Sequence, residues 1–460
     1  MSAPPVSATI SELAAGYRRG TVSPVEVTRA CLDRIAAVDG QVRAFATVTA
    51  DRALAGARAA EVALRDDPHG DRPLLGIPVG VKDIVDTAGV ETAAGSAALT
   101  GRVPATSATV WRRLEAAGAV LVGKTRTHEL AYGVWTPPTR NPWDITRIPG
   151  GSSGGSAAAL AAGMCAGAIG TDTAGSIRIP AGLCGVVGLK PTYDRCPTAG
   201  VWPLSPSLDH VGPMARTVQD VRLLLDAMAG SAAGRRGVAA DGGGAAALRG
   251  VRVGLANTAM LAAPQVAAAL EGAVEVLVRA GADVRGVVFP SLRDALRHAD
   301  HLITVEAAEV NDRLLVSAGT LLDPVTRAKL EHGSTTDGRT YYRALRHARS
   351  VARAVRAALV DHDVLLAPGV AVTAPRAGSE TVAVGGEDLR LGRALCWNMA
   401  VCNLAGVPAV ALPTGLADDL PVGVQLIGPQ GGDARLLAVA AALAERVDGV
   451  AAQVAHGLPA

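Results

Sequence analysis

Segments with the pattern of a β-strand alternate with segments that have the pattern of a helix along most of the chain. Short apolar runs at residues 251–255 and 363–368 are separated by amphipathic runs such as 264–280, in which apolar residues recur every three or four positions. This alternation is typical of a sheet whose two faces are both covered by helices. We therefore predict an α/β fold with a large mixed β-sheet between helical layers.

Length and composition are consistent with one large core. The chain has 460 residues, 49% of them hydrophobic and only 3% aromatic, so small aliphatic side chains must supply most of the packing. No internal repeat is visible. We predict a single α/β/α domain over residues 1–460. Residues 229–250 are rich in glycine and alanine and are expected to form a mobile surface loop.

Charge and targeting signals exclude several classes of protein. Lysine and arginine number 44 against 42 acidic residues, so no basic field for nucleic acid is expected. The N-terminus lacks a secretory pattern, and the longest run of small or apolar residues, 157–170, is shorter than the roughly 20 residues of a membrane span. Six cysteines without a Cys-x-x-Cys pair indicate a reduced, cytoplasmic protein, and the histidines lack metal-ligand spacing.

A lysine stands inside a short β-rich segment, GIPVGVKDI at residues 76–84. Burying an ammonium group is costly, so Lys82 needs an explanation. It either faces water from an edge strand or is buried with a lowered pKa, which would allow it to act as a base.

Two glycine-serine loops are the most unusual feature of the sequence. They read GGSSGGS at residues 150–156 and TDTAGSIRIP at 171–180, and a small-residue segment of helical character separates them. Glycine lets backbone N–H groups approach a negative charge closely, and a serine in such a loop is a candidate nucleophile. The alternative is a pair of flexible turns without chemistry.

Two familiar motifs also match the sequence, but the residues around them do not suit the structures that these motifs require. Residues 118–125 fit the phosphate-loop pattern, yet Ala-Val-Leu-Val occupies the place of the flexible loop and favours a strand. Residues 151–155 fit the nucleophile elbow around Ser153, but no strand pattern precedes them and no histidine is singled out as a partner. We reject both motifs.

The lysine segment and the two loops together resemble the amidase signature family. The resemblance is strongest over residues 76–217, where GLKPT at 188–192 follows the two loops. The segments NLAGVP at 403–408 and LPVGVQ at 420–425 extend it toward the C-terminus. The resemblance implies one α/β/α domain around a large mixed sheet.

The resemblance also implies a catalytic triad. Ser176 would be the nucleophile, Ser152 a bridging serine and Lys82 the general base, with a cis peptide bond before Ser152. Such a site needs no metal or organic cofactor. A neutral lysine can serve as the base if burial lowers its pKa from about 10.4.

The backbone around the nucleophile is expected to bind the oxyanion. The resemblance assigns this role to the N–H groups of Thr173, Ala174, Gly175 and Ser176; Ala174 stands where many relatives have glycine. Asp172 and Arg178 would support the loop, although Arg178 could instead bind a substrate carboxylate. Further candidates near the site or its substrate are Gly151, Tyr132 and Gly133.

The predicted activity is hydrolysis of a small-molecule linear amide, without nucleic acid or membrane partners; the resemblance is compatible with a homodimer. One alternative is a carbamate, urea or ester hydrolase with the same triad. A second is the glutaminase subunit of a tRNA-dependent amidotransferase, although THELAYG at 127–133 resembles free-standing amidases and Trp397-Asn398 lacks the acidic residue expected there for glutamine. A third is a binding protein with a dead site. Residues 132–138, 229–250 and 292–342 are expected to wall the pocket.

Overall fold

The fold is that of a computed structural model, which describes residues 6–67, 70, 72–230, 248–256, 260–289 and 291–447. Most of the predicted loop at 229–250 therefore lies outside the described residues. The strands are β1 Phe45–Val48, β2 Pro78–Lys82, β3 Val120–Thr125, β4 Gly167–Asp172, β5 Val187–Lys190, β6 His210–Ala215, β7 Arg252–Leu255, β8 Asp283–Gly286, β9 Val364–Pro368, β10 Thr381–Val384, β11 Glu387–Arg390, β12 Ala409–Ala417 and β13 Leu420–Ile427.

The helices alternate with these strands, as predicted. They are α1 Ile10–Arg19, α2 Pro24–Val42, α3 Ala50–Asp66, α4 Thr109–Ala116, α5 Gly154–Ala161, α6 Arg178–Cys184, α7 Val218–Ala229, α8 Pro264–Arg279, α9 Leu292–Val310, α10 Asp312–Ala318, α11 Pro324–Ser334, α12 Gly338–Ala358, α13 Leu391–Cys396, α14 Ala400–Ala405 and α15 Asp433–Ala444.

Eleven strands form one sheet in the order β1-β3-β2-β4-β6-β5-β12-β13-β9-β7-β8. Strands β3, β2 and β4 run parallel, as do β9, β7 and β8, whereas the strands between these groups pair antiparallel. Helices flank this mixed sheet, so the predicted fold class is confirmed. The hydrogen-bonded pair β10–β11 is separate from it.

Two local expectations are wrong. The small-residue segment after the first glycine-serine loop is helical only to Ala161, because the chain then turns into β4. The second concerns SLDHVGP at residues 207–213, a segment whose sequence predicts a loop. Residues 207–209 lie outside the strands, but His210–Ala215 form β6 between β4 and β5; β5 pairs with Ala215 and Met214, so that pairing ends before Pro213.

A single domain over residues 1–460 stays a proposal, consistent with strands from both ends of the chain in one sheet. Among the described residues, none of the helices is long and apolar enough to cross a membrane.

Candidate active site

Lys82 ends an interior strand and is completely buried, so the edge-strand interpretation is wrong. Its ammonium nitrogen, Nζ, donates to Ser152 Oγ over 2.8 Å and to Thr171 Oγ1 over 2.7 Å. Neighbouring strands β2 and β4 supply Lys82 and Thr171, and the first glycine-serine loop supplies Ser152. The sequence prediction missed Thr171, although it lies in the second loop motif.

Burial lowers the pKa of Lys82 to about 7, because an ammonium group loses its hydration in the interior. The negative charges of Asp209 and Asp172 act in the opposite direction and favour the protonated form. A substantial fraction of Lys82 is therefore neutral near pH 7. In that state its nitrogen can accept a proton from a neighbouring hydroxyl.

Backbone packing fixes the first loop around Ser152. The Gly151–Ser152 peptide bond is cis, and the Ser152 carbonyl accepts hydrogen bonds from His128 N (3.1 Å) and Thr136 Oγ1 (3.0 Å). A side chain at Gly151 would meet backbone atoms of Trp135 at 2.8 Å, so only glycine fits there. The loop thus holds the Ser152 hydroxyl toward Lys82.

The second loop connects β4 to α6 and carries Ser176. The carboxylate of Asp172 accepts hydrogen bonds from the backbone N–H groups of Gly175 (2.8 Å) and Ile177 (3.3 Å). Gly175 has a φ of 125°, which a residue with a side chain rarely adopts. Asp172 and Gly175 together set the turn on which Ser176 lies.

Arg178 is fully buried, and its guanidinium group is used within the protein. It donates to Asp172 at 3.0 Å, Asn403 at 2.7 Å and Gln425 at 3.2 Å. These partners leave it inaccessible to a substrate carboxylate and make it a support of the nucleophile loop. Burial alone would raise the pKa of Asp172, but the charge and hydrogen bonds of Arg178 hold this pKa well below its usual value.

The hydroxyl of Ser176 is close to the surface of the site. Ser176 is 8% exposed, and within the described residues its Oγ makes no hydrogen bond. The two loops meet directly, since Ser153 N donates to the Ser176 carbonyl over 3.2 Å. Catalytic hydrogen bonds are often long before substrate binds. The arrangement leaves Ser176 available to an incoming carbonyl carbon.

The expected oxyanion donors differ in availability. The N–H of Gly175 already donates to the Asp172 carboxylate, so it is not available to an oxyanion. The N–H groups of Thr173, Ala174 and Ser176 remain candidates. Ala174 has a negative φ, so its methyl group causes no backbone strain.

A cavity of about 230 Å³ borders the site at Thr171, whose hydroxyl accepts a hydrogen bond from Lys82. Thr173 and Asp209 also line this cavity, and Trp202 and Leu204 are among its apolar residues. Burial raises the pKa of Asp209 to about 6, although it accepts a hydrogen bond from Thr173 Oγ1 over 2.6 Å. Asp209 was missed because its stretch of sequence was interpreted only as a loop.

The structure also confirms that the two rejected motifs do not form their sites. Residues 120–125 of the phosphate-loop pattern are strand β3. Ser153 of the elbow pattern precedes α5 without following a strand, and its hydroxyl donates to the Thr171 carbonyl over 3.2 Å. Within the described part of the chain, no group of three or more His, Cys, Asp or Glu side chains is arranged to hold a metal ion.

Tyr132 and Gly133 belong to the segment 127–133, which contacts the Ser152 loop through His128 N. The Tyr132 hydroxyl donates to Thr304 of α9 over 3.2 Å, and Gly133 packs so closely on the His128 ring that a side chain would collide with it. This hydrogen bond joins α9 to the segment 127–133; the position of the pocket wall stays a prediction.

Proteins of similar sequence and structure identify the family of this chain. The chain is 39% identical to a glutamyl-tRNA(Gln) amidotransferase subunit of Roseiflexus sp. (strain RS-1), with 91% of this chain and 92% of that protein covered. The structure resembles a crystallised amidase (TM-score 0.88, 32% identity, 96% of this chain and 100% of that one). It also resembles the peptide amidase of Stenotrophomonas maltophilia (TM-score 0.81, 31% identity, 95% and 96%). The sequence profile of the Amidase family matches residues 26–437, and the chain therefore belongs to this family, the amidase signature family.

Proposed function

We propose that the protein is an amidase that hydrolyses the C–N bond of small linear amides through an acyl-enzyme on Ser176. The observation that carries the proposal is the fully buried Lys82, whose Nζ lies 2.8 Å from Ser152 Oγ and whose pKa is lowered to about 7. A lysine with this pKa can accept a proton near pH 7, and the loop of its partner Ser152 is joined to the loop of Ser176 by the hydrogen bond from Ser153 N to the Ser176 carbonyl.

Acylation begins with proton transfer. Neutral Lys82 takes the proton of Ser152 while Ser152 takes the proton of Ser176, whose Oγ attacks the carbonyl carbon. The negative charge that develops on the carbonyl oxygen is stabilised by N–H groups drawn from Thr173, Ala174 and Ser176. The C–N bond then breaks as the proton returns through Ser152 to the leaving amine.

Deacylation uses the same groups in the same order. Water attacks the acyl carbon and gives its proton through Ser152 to Lys82. The bond from the carbonyl carbon to Ser176 Oγ breaks, and the proton returns to Ser176. The acid is released and the site is restored without a metal or organic cofactor.

A second candidate is the glutaminase subunit of a tRNA-dependent amidotransferase. It is favoured by the 39% identity to the Roseiflexus subunit over 91% of this chain. The same triad would then release ammonia from glutamine for partner subunits. Carbamates, ureas and esters are further substrates that this triad can attack, whereas a dead binding site would not require Lys82, Ser152 and Ser176 all to be present.

The test is hydrolysis by the purified chain without added subunits. The substrates are an aryl amide, a primary aliphatic amide, an aryl carbamate and glutamine, each with wild type, Ser176→Ala and Ser317→Ala. We expect amide turnover that is lost in Ser176→Ala and retained in Ser317→Ala, the same substitution at an exposed serine of α10. Near-normal turnover by Ser176→Ala would overturn the mechanism. Glutamine turnover alone, or activity only with partner subunits, would favour the second candidate.

We further propose a cytoplasmic location, supported by six free cysteines, all within the described residues. A homodimer is proposed on the family resemblance alone, and gel filtration with light scattering tests it.

A further inference from the structure

Lys329 of α11 contacts Tyr132 at two points. Its Nζ donates to the Tyr132 carbonyl over 3.0 Å and lies 4.6 Å from the centre of the Tyr132 ring. Within the described residues, Lys329 forms no ion pair within 4 Å. The Tyr132 hydroxyl donates to Thr304 of α9 over 3.2 Å. Two helices therefore hold this one residue by its carbonyl, its ring and its hydroxyl.

Glu129 anchors the other end of the same short turn, residues 129–132. One oxygen of its carboxylate accepts a hydrogen bond from Ser96 Oγ over 2.7 Å. The other oxygen accepts from the backbone N–H of Asp323 over 3.0 Å, at the N-terminus of α11. Helix α11 thus holds the turn at both ends, through Asp323 and through Lys329.

The backbone between these two anchors is strained. Leu130 and Ala131 have φ values of 50° and 60°, in the left-handed region that residues other than glycine adopt only at a cost in free energy. The N–H of Tyr132 donates to the Glu129 carbonyl over 2.9 Å and closes the turn. Such a conformation persists only where its surroundings enforce it, and the two anchors supply this constraint.

The turn is joined to the catalytic site at His128. The N–H of Ala131 donates to the His128 carbonyl over 2.8 Å, and the N–H of His128 donates to the Ser152 carbonyl over 3.1 Å. The hydroxyl of Ser152 in turn accepts the hydrogen bond from Lys82 Nζ over 2.8 Å. Hydrogen bonds and peptide bonds therefore connect Lys329 to the general base.

We propose that Lys329 and Glu129 are positioning residues for the amidase reaction. They hold residues 128–132 in the strained turn, and the turn holds the Ser152 loop so that its hydroxyl faces Lys82. A small displacement of a group that transfers a proton is enough to slow the chemical step. This inference rests on the proposed function, but it does not depend on which amide is the substrate.

The first test measures how fast a small fluorophosphonate labels Ser176. In this reaction Ser176 Oγ bonds to phosphorus, fluoride leaves as the P–F bond breaks, and the serine proton passes through Ser152 to Lys82. We expect Lys329→Met, at a temperature where circular dichroism shows it folded, to lower the second-order rate constant by about tenfold or more. Arg327→Met removes an exposed cation from the same helix and should keep the wild-type rate.

Amide kinetics then separate positioning from substrate binding. For a small primary amide, Lys329→Met should lower kcat by a similar factor while KM stays within about threefold, because the lost interaction matters only in the transition state. Lys329→Arg, which keeps a cationic donor, should recover part of this loss. Glu129→Gln keeps the size of the side chain but removes one acceptor oxygen, and it should lower kcat by about threefold or more.

The outcomes distinguish this proposal from the proposed function. Wild-type labelling and kcat in folded Lys329→Met, or a loss confined to KM, would overturn the positioning role alone. If Lys329→Met does not fold, Glu129→Gln decides, and an unchanged kcat in that variant would overturn the role. A wild-type protein whose Ser176 is not labelled, or turnover that survives Ser176→Ala, would overturn the proposed function itself.

Discussion

Two buried lysines on adjacent strands have different surroundings. Lys82 of β2 and Lys124 of β3 lie in the same parallel pair, where Val81 is opposite Lys124 and Lys82 is opposite Thr125. Both side chains are completely buried, and burial lowers both pKa values, to about 7 for Lys82 and about 8 for Lys124. Burial alone therefore does not distinguish a catalytic lysine from a structural one.

The partners of the two nitrogens make the distinction. Lys124 Nζ lies 3.6 Å from the Asp83 carboxylate and donates to the Val85 carbonyl and to Thr92 Oγ1, none of which belongs to the catalytic loops. Among the residues that the structure describes, Lys82 Nζ donates hydrogen bonds to two hydroxyls alone, and one of them belongs to the Ser152 loop. A buried lysine with a carboxylate partner stabilises an ion pair, whereas one held by hydroxyls can exchange protons with them.

The largest expected effect is the difference in kcat/KM between variants of the two lysines. Lys82→Met should lower kcat/KM by about 10⁴-fold, because the general base is lost while the size of the side chain is kept. Lys124→Met is assayed at a temperature where circular dichroism shows it folded. Its kcat/KM should stay within about tenfold of wild type, because the described partners of the Lys124 side chain lie outside both catalytic loops. Similar losses of kcat/KM in both variants would contradict the distinction between a catalytic and a structural lysine.

The next largest effect concerns stability, and here the loss is expected at Lys124 instead of Lys82. Lys124→Met should lower the free energy of unfolding by about 3–5 kcal/mol, because the Asp83 carboxylate is left buried without its partner. Adding Asp83→Asn should recover part of the loss, since no charge then remains buried. Urea midpoints of the single and double variants measure both changes; an unchanged midpoint in Lys124→Met would contradict the structural role.

A smaller effect is expected from Lys82→Met on stability. The substitution should raise the free energy of unfolding by about 1–2 kcal/mol near pH 7, because it removes a cation whose burial is costly. The unfolded chain binds the Lys82 proton up to about pH 10 and the folded chain only up to about pH 7, so wild-type stability rises with pH between these values. The advantage of Lys82→Met should therefore shrink toward pH 10. Urea unfolding at pH 7 and pH 10 tests this, and a destabilised Lys82→Met would contradict it.

The smallest effect is expected at the oxyanion turn. Ala174→Gly should change kcat/KM by about threefold or less, because Ala174 has a negative φ and its N–H is present in both proteins. Steady-state kinetics with the same amide measure it, and a change of about 100-fold would show that the methyl group shapes the site.

The sequence predicts the fold class and indicates the residues with the chemistry. Lys82, Ser152 and Ser176 lie in local motifs, and the strand–helix alternation is visible in the apolar pattern. The loop predicted at residues 207–213 extends too far, because tertiary pairing with β4 makes its second half a strand.

Contacts between distant parts of the chain could not be predicted. The sequence left the role of Arg178 open, and only the fold brings Asn403 and Gln425 to its guanidinium group. Such partners lack a local signal because they are neighbours only in three dimensions.

The most direct test of the central claim is the pH dependence of kcat/KM for an amide substrate. Because protonated Lys82 cannot accept a proton, activity should fall as the pH decreases through about 7, in wild type and in Lys124→Met alike. Burial also lowers the pKa of Lys190 to about 7, so Lys190→Met is the essential control and should keep the same profile. Activity that is independent of pH from about 5 to 9 would contradict the assignment of Lys82 as the base. The same fall in activity in the residual turnover of Lys82→Met, or its loss in Lys190→Met alone, would also contradict it.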